Sequence, residues 1–239
     1  MGSKAEFYSR DKINKKYAKF LKGKKVVLVG PAHKTKGTLQ KDMIDGYDIV
    51  VRMNLAFKIP VKIQKDVGTR VDVLYCALSY YYFKKKIFTR SSISKFKNNI
   101  KWIISTGIHR ENILKIASYN KSSEANVGLR QVGREDVKFI SKKLEEKPSV
   151  GVSTIYDLLK YDISELYLTG FTFYNFMVSK SQGRNKYYYD GYSPNYLLHA
   201  GAVFNHNIKK EAEFVKKLCE GDKRVKINNL LEDTFSKLK

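Results

Sequence analysis

Residues 26–38 read VVLVGPAHKTKGT. Four apolar residues run directly into a glycine, a proline and a knot of basic side chains. An apolar run this short, bounded by turn residues, suits a strand buried on both faces. When such a strand ends on glycine at the carboxyl edge of a parallel sheet, its free backbone N–H groups lie where α/β proteins take their ligands. Two familiar phosphate loops fail the test. A dinucleotide fingerprint needs G-x-G-x-x-G, but after Gly30 the next glycine is Gly37. A P-loop needs a second glycine where Thr35 stands. The loop is therefore a nucleotide cradle of another type or a tight turn, and the segment alone favours the turn.

Outward from this stretch, strands and helices alternate. Strands are expected at Lys25–Val29, Tyr47–Arg52, Val71–Ala77, Lys101–Thr106, Glu165–Thr169 and Arg224–Ile227. Helices are expected at Leu39–Ile44, Arg110–Ser118, Arg134–Glu146, Ser153–Tyr161, Asn207–Cys219 and Asn228–Leu238. This rhythm predicts an α/β fold with a mostly parallel central sheet flanked by helices. Residues 1–22 read as a basic N-terminal helical segment, which either rests on a membrane surface or packs on the domain. Residues 23–239 read as a single α/β domain. Residues 173–196, rich in Tyr, Asn, Ser and Gly, break the rhythm and read as a mobile loop, a lid or a ligand surface.

The chain of 239 residues carries a formal net charge of +23, with 46 Lys and Arg against 23 Asp and Glu. That balance attracts polyanions such as nucleic acid, anionic lipid or acidic glycans. The lysines are dispersed, which argues against a dedicated nucleic-acid face. Cys76 and Cys219 are isolated and show no metal-ligand spacing, which fits a reducing compartment. No apolar run is long enough to span a bilayer, and no signal peptide is expected.

Four further stretches change the reading of the loop. Val26–Asn54, VVLVGPAHKTKGTLQKDMIDGYDIVVRMN, resembles the large sialylmotif of the sialyltransferases, glycosyltransferase family 29. Asp45, Asp48, Arg52, Met53 and Asn54 fall in place, and DVGTRVD (Asp66–Asp72) continues the motif. KPSVGVSTIYDLL followed by ELYLTGF (Lys147–Phe171) resembles the small motif. YYYDGY (Tyr187–Tyr192) resembles the third, and HNIKKE (His206–Glu211) the very small one. The resemblance implies a Rossmann-like, single-domain variant of the GT-A architecture. It also implies inverting transfer of a CMP-activated 2-keto sugar to a glycan or glycolipid hydroxyl.

That chemistry assigns tasks to residues. His206, at the start of a helix whose apolar positions are Ile208, Ala212, Val215 and Cys219, is the expected general base. The positive end of the helix dipole leaves its ring neutral and ready for a proton. Glu211, one turn on, would orient it. Ser149 caps a helix, and with Val150 and Gly151 offers N–H groups to the donor phosphate. Gly30, Pro31, Ala32, His33, Lys34 and Asn54 would line the nucleoside pocket, with Gly170 and Phe171 beside them. Arg52 and Arg70 are candidates either for the donor carboxylate or for structural ion pairs.

Two departures from the family follow. Tyr187 stands where the third motif usually has a phosphate-binding histidine. Tyr187, Tyr188, nearby lysines or His199 must then serve, although His199, in NYLLHAG on an expected helix, reads more readily as structural. Cysteines that join the large and small motifs in animal members are absent: the strand before Gly30 has Lys24 and Lys25 instead, and no Cys lies near Ser149. This implies a bacterial or viral relative working in the cytoplasm, with an acceptor at the inner membrane surface and that anionic surface as a candidate partner. No D-x-D triplet occurs and a CMP-sugar has a single phosphate, so no cofactor and no metal are expected. Sialic acid and Kdo both remain open as donor sugars. The alternative is a basic nucleotide- or nucleic-acid-binding protein without transferase activity, although no nucleic-acid motif is present. An NAD-dependent enzyme lacks its glycine fingerprint.

Overall fold

The computed structural model describes residues 10–173 and 206–238, apart from 33, 34, 36, 58, 79–82, 85, 87, 97, 98, 108, 109, 123 and 125. Among them β1 (Lys25–Val29), β2 (Ile49–Met53), β3 (Val73–Cys76), β4 (Trp102–Ser105), β5 (Gly128–Gln131), β6 (Glu165–Thr169) and β7 (Val225–Ile227) form one sheet. Their order is β5-β4-β3-β2-β1-β6-β7. Every pair is parallel, so the sheet expected as mostly parallel is wholly so. The helices are α1 (Arg10–Leu21), α2 (Lys41–Asp45), α3 (Val61–Val67), α4 (Arg90–Phe96), α5 (Arg110–Ser122), α6 (Arg134–Leu144), α7 (Val150–Leu159), α8 (Ile208–Gly221) and α9 (Asn229–Ser236).

The apolar run Val26–Val29 is explained by burial on both faces. Val26 and Leu28 pack with Val152, Ile155 and Leu158 of α7 and with Ala212 and Val215 of α8. Val27 and Val29 pack with Ile44, Ile63 and Val67 of α2 and α3. The β3–β5 end of that second face is filled by Leu74, Cys76, Ile93, Ile103 and Ile116. The chain walks from β1 out to β5, then returns to set β6 against the other side of β1. The order reverses between β1 and β6, and in such sheets ligands bind in the crevice beyond the strand ends at that point. Helix α1 packs on the domain: Tyr17 and Leu21 are fully buried in the larger core, while Lys12, Lys15, Lys16 and Lys19 face solvent.

The sequence-derived strands match to within two residues at each end. Three elements were not anticipated. Strand β5, GLRQ, lacks an apolar run because it is an edge strand whose buried side chain is Arg130. Helices α3 and α4 are seven residues each, too short to show a period. Helix α7 begins at Val150, not Ser153, because Gly151 sits inside its first turn. Helix α2 begins after Leu39, whose φ of 51° takes it out of the helix.

Candidate active site

Helix α7 opens where the sequence places a cap. Ser149 is extended, and its Oγ accepts from the Val152 N–H at 3.4 Å. The N–H groups of Val150 and Gly151 have no acceptor within the helix by virtue of their position. The Ser149 N–H donates to Glu211 Oε1 at 2.6 Å, so the carboxylate of one helix holds the entrance to another. Glu211 is 2% exposed. Burial pushes its carboxyl above the ordinary range, and His206 together with the Ser149 N–H pulls it part of the way back.

His206 lies two residues before α8, just ahead of its cap. Asn207, and not His206, caps that helix: its side chain accepts from the Lys210 N–H at 3.1 Å. Ala212 and Val215 anchor the helix in the core, which turns Glu211 inward on the same face. The His206 Nδ1 lies 2.8 Å from the Lys147 carbonyl oxygen. A carbonyl only accepts, so Nδ1 carries the proton and Nε2 keeps its lone pair. Glu211 Oε1 stands 3.8 Å from Nδ1. The arrangement is an imidazole, a carbonyl that sets its tautomer, and a buried carboxyl beside the ring, a set whose chemistry suits proton uptake.

The expected glycines meet beside this group. Gly30 follows β1 and Gly170 follows β6, and a Cβ on Gly30 would sit 2.3 Å from the Gly170 carbonyl oxygen. The Ala32 N–H donates to that same oxygen at 3.0 Å, and Gly170 has a φ of 73°. Phe171 links the glycines to α7: its ring lies 3.1 Å from a Cβ on Gly30 and 3.3 Å from one on Gly151. The Met53 sulfur lies 3.7 Å from that Gly151 position. Asn54, with a φ of 52°, donates its N–H to Tyr75 O at 2.7 Å and accepts from the Ala77 N–H at 3.4 Å. Gly30, Gly170, Phe171, Gly151, Ser149, Glu211 and His206 thus form one contiguous chain of contacts at the carboxyl ends of β1, β2 and β6. Sequence reasoning missed two members, Met53 and the Lys147 carbonyl. Met53 could have been taken from its motif, but a carbonyl leaves no signal in side-chain identity.

Arg52 and Arg70 resolve toward the structural alternative. Arg52 is fully buried, and its guanidinium donates to the carbonyls of Arg70, at 2.7 Å, and Val67, at 2.5 Å. Arg70 donates to the carbonyls of Asp45, Tyr47 and Asp48 and pairs with Asp72 at 2.8 Å. Asp45 in turn accepts from the N–H groups of Thr69 and Arg70. Burial raises its carboxyl, but those donors outweigh burial and hold it below the ordinary range. This lattice stitches the α2–β2 turn to the α3–β3 turn. Pro31 is half-buried and Ala32 buried beside the glycines. His33, Lys34, Tyr187, Tyr188, His199 and the expected loop beyond Phe173 lie outside the described residues. Neither Cys76 nor Cys219 is in a disulfide. Among the described residues no helix is long and apolar enough to cross a membrane, and no cluster of three His, Cys, Asp or Glu groups is placed to hold a metal ion.

A doubly wound parallel sheet, with an imidazole and a capped helix at its switch point, defines the class: an α/β protein of the kind that takes ligands in the crevice beyond the strand ends. The pattern of Glycosyltransferase family 29 (sialyltransferase) matches residues 21–223, and the chain belongs to that family. No curated protein matches the chain. Among solved structures it is similar to the sialyltransferase CstII from Campylobacter jejuni in complex with cytidine-5'-monophosphate. That likeness has a TM-score of 0.56 and 16% identity, and covers 86% of this chain and 80% of that one. It is also similar to a mammalian sialyltransferase in complex with Gal-beta-1-3GalNAc-ortho-nitrophenol. There the TM-score is 0.54 with 16% identity, covering 88% of this chain and 71% of that one. An apo alpha-2,3-sialyltransferase from Campylobacter jejuni follows, with TM-score 0.52 and 13% identity, covering 86% and 75%. At these identities the likeness shows the fold.

Proposed function

We propose that this chain transfers sialic acid, or a related 2-keto-3-deoxy sugar such as Kdo, from its CMP donor to a glycan hydroxyl with inversion. The observation that carries the reading is the 2.8 Å contact between His206 Nδ1 and the Lys147 carbonyl, which leaves Nε2 as the basic nitrogen. As the acceptor oxygen bonds to the anomeric carbon, its proton passes to Nε2. The bond from that carbon to the phosphate oxygen breaks, and CMP leaves with the electron pair. The Val150 and Gly151 N–H groups, at the positive end of α7, would meet the charge gathering on the phosphate. Glu211 would favour the imidazolium while it lasts. Because the donor bears one phosphate, the reading carries no metal. Tyr187, in the place of the third motif's histidine, would contact that phosphate through its hydroxyl. The net charge of +23 supports an acceptor presented at an anionic membrane surface.

The test is CMP release from CMP-Neu5Ac and CMP-Kdo, with and without glycan acceptors and with no added metal. His206→Ala is expected to lose about 10²- to 10⁴-fold in turnover while retaining donor affinity. Absence of CMP binding by the wild type, with tight salt-sensitive binding of DNA or RNA in its place, would refute the reading in favour of a nucleic-acid-binding protein.

A further inference from the structure

We propose that Arg130 and Asp157 are positioning residues for donor binding, and that through them helix α1 becomes part of the phosphate site. The inference rests on reading the first turn of α7 as that site. Asp157 is fully buried on α7 and Arg130 is 5% exposed on β5. Arg130 Nη1 and Nη2 donate to the two Asp157 oxygens at 2.6 and 2.7 Å. The Tyr75 hydroxyl of β3 donates to the same carboxylate at 2.7 Å and lies 3.1 Å from the Tyr17 hydroxyl of α1. Arg130 Nε donates to Asn14 Oδ1 of α1 at 2.8 Å. The rings of Tyr17 and Tyr161 stand 5.1 and 5.4 Å from the guanidinium carbon.

Stability alone is a weak reason to bury such a pair, because an apolar pair of the same volume often serves as well. Directionality is the better reason. Helix α7 otherwise meets its neighbours through Val152, Ile155 and Leu158, and apolar contact does not fix an orientation. Among the described residues, Asp157 is the one α7 side chain hydrogen-bonded to a different element. At the other end, Glu211 holds the Ser149 N–H. Two directional fixings, one at the entrance and one two turns down, set both the rotation and the axial position of α7. They therefore set where the Val150 and Gly151 N–H groups point. A misplacement of an ångström at such donors costs on the order of 10²-fold in rate.

The experiment is the double substitution Arg130→Met/Asp157→Leu, with Tyr75→Phe as a milder second variant. Donor and acceptor KM, the Kd for CMP by calorimetry, thermal melting, and amide exchange at Val152 and Ser153 are measured on each. The double variant is expected to melt near the wild type, with donor KM and CMP Kd raised about tenfold, acceptor KM unchanged and exchange accelerated. A folded double variant with wild-type CMP affinity overturns the proposal. If that variant does not fold, wild-type CMP affinity and exchange in Tyr75→Phe overturn it instead. If the wild-type protein itself binds no CMP, the functional reading is what fails. The positioning claim is then decided by amide exchange alone, and unchanged protection in the variants overturns it.

Discussion

Glu211→Gln separates catalysis from stability at a single position. The carboxylate lies 3.8 Å from His206 Nδ1. Unit charges at that separation attract by about 4 kcal/mol at an effective dielectric of ~20, which bounds what Glu211 contributes once the ring is protonated. Glutamine keeps an oxygen that still accepts from the Ser149 N–H but carries no charge; with the ring only partly protonated in the transition state, about half of that bound, ~2 kcal/mol, should be lost, or roughly 30-fold in turnover. Stability should move the other way. The carboxyl is raised in the folded protein because it is buried. A raised acid contributes fully below its unfolded pKa, and that contribution is lost as pH rises through the folded pKa. At neutral pH the ionised form is therefore a cost, which glutamine removes. The variant should melt at or above the wild-type temperature at pH 7, with the advantage shrinking toward pH 4. CMP release at saturating donor and scanning calorimetry across that range are the assays. Turnover within twofold of wild type, or a melting temperature several degrees lower at pH 7, would refute the reasoning.

Three further outcomes are expected. Gly30→Ala drives a Cβ to 2.3 Å from the Gly170 carbonyl oxygen, where both sides are backbone; it should cost about 3 kcal/mol and lower the melting temperature by roughly 5–10 °C. Ser149→Ala removes the cap on α7 and should cost about 1 kcal/mol in denaturant unfolding, with donor KM rising more than acceptor KM. Asp45 is held below its ordinary range by the Thr69 and Arg70 N–H groups, so its contribution is present above the unfolded carboxylate pKa of ~3.9 and is lost as pH falls through the folded value. Asp45→Asn should lose up to about 1 kcal/mol at pH 7, after allowance for solvent screening, and should flatten urea-derived stability between pH 4 and pH 2.

Much of this was legible in the chain because its signals are local. VVLV announces a strand covered on both faces, and Asn207 followed by Ile208, Ala212 and Val215 announces a capped helix with one buried side. The pairing of Ser149 with Glu211 was not legible, since it joins residues 62 positions apart through a backbone donor. Arg52 and Arg70 looked equally fit for a ligand carboxylate or an internal partner, because sequence does not show which carbonyls surround a guanidinium. Strand β5 was hidden for the same reason: Arg130 reads as a surface residue until Asp157 and three tyrosines close around it. Gly151 misled in the opposite direction, since glycine reads as a breaker of helices unless the space above it has a use.

The order in which the sheet is assembled has a consequence for synthesis. Strand β1 pairs β2 close by in the chain, but its other neighbour is β6, roughly 140 residues downstream. At ribosomal speeds of 5–20 residues per second, β1 waits on the order of 10 s with one edge open. The contact of Gly30 with Gly170 cannot form until then. On the proposed reading the nascent protein is therefore blind to its donor until its sixth strand has emerged, and a chain stalled before that point would present a bare parallel edge to any strand nearby.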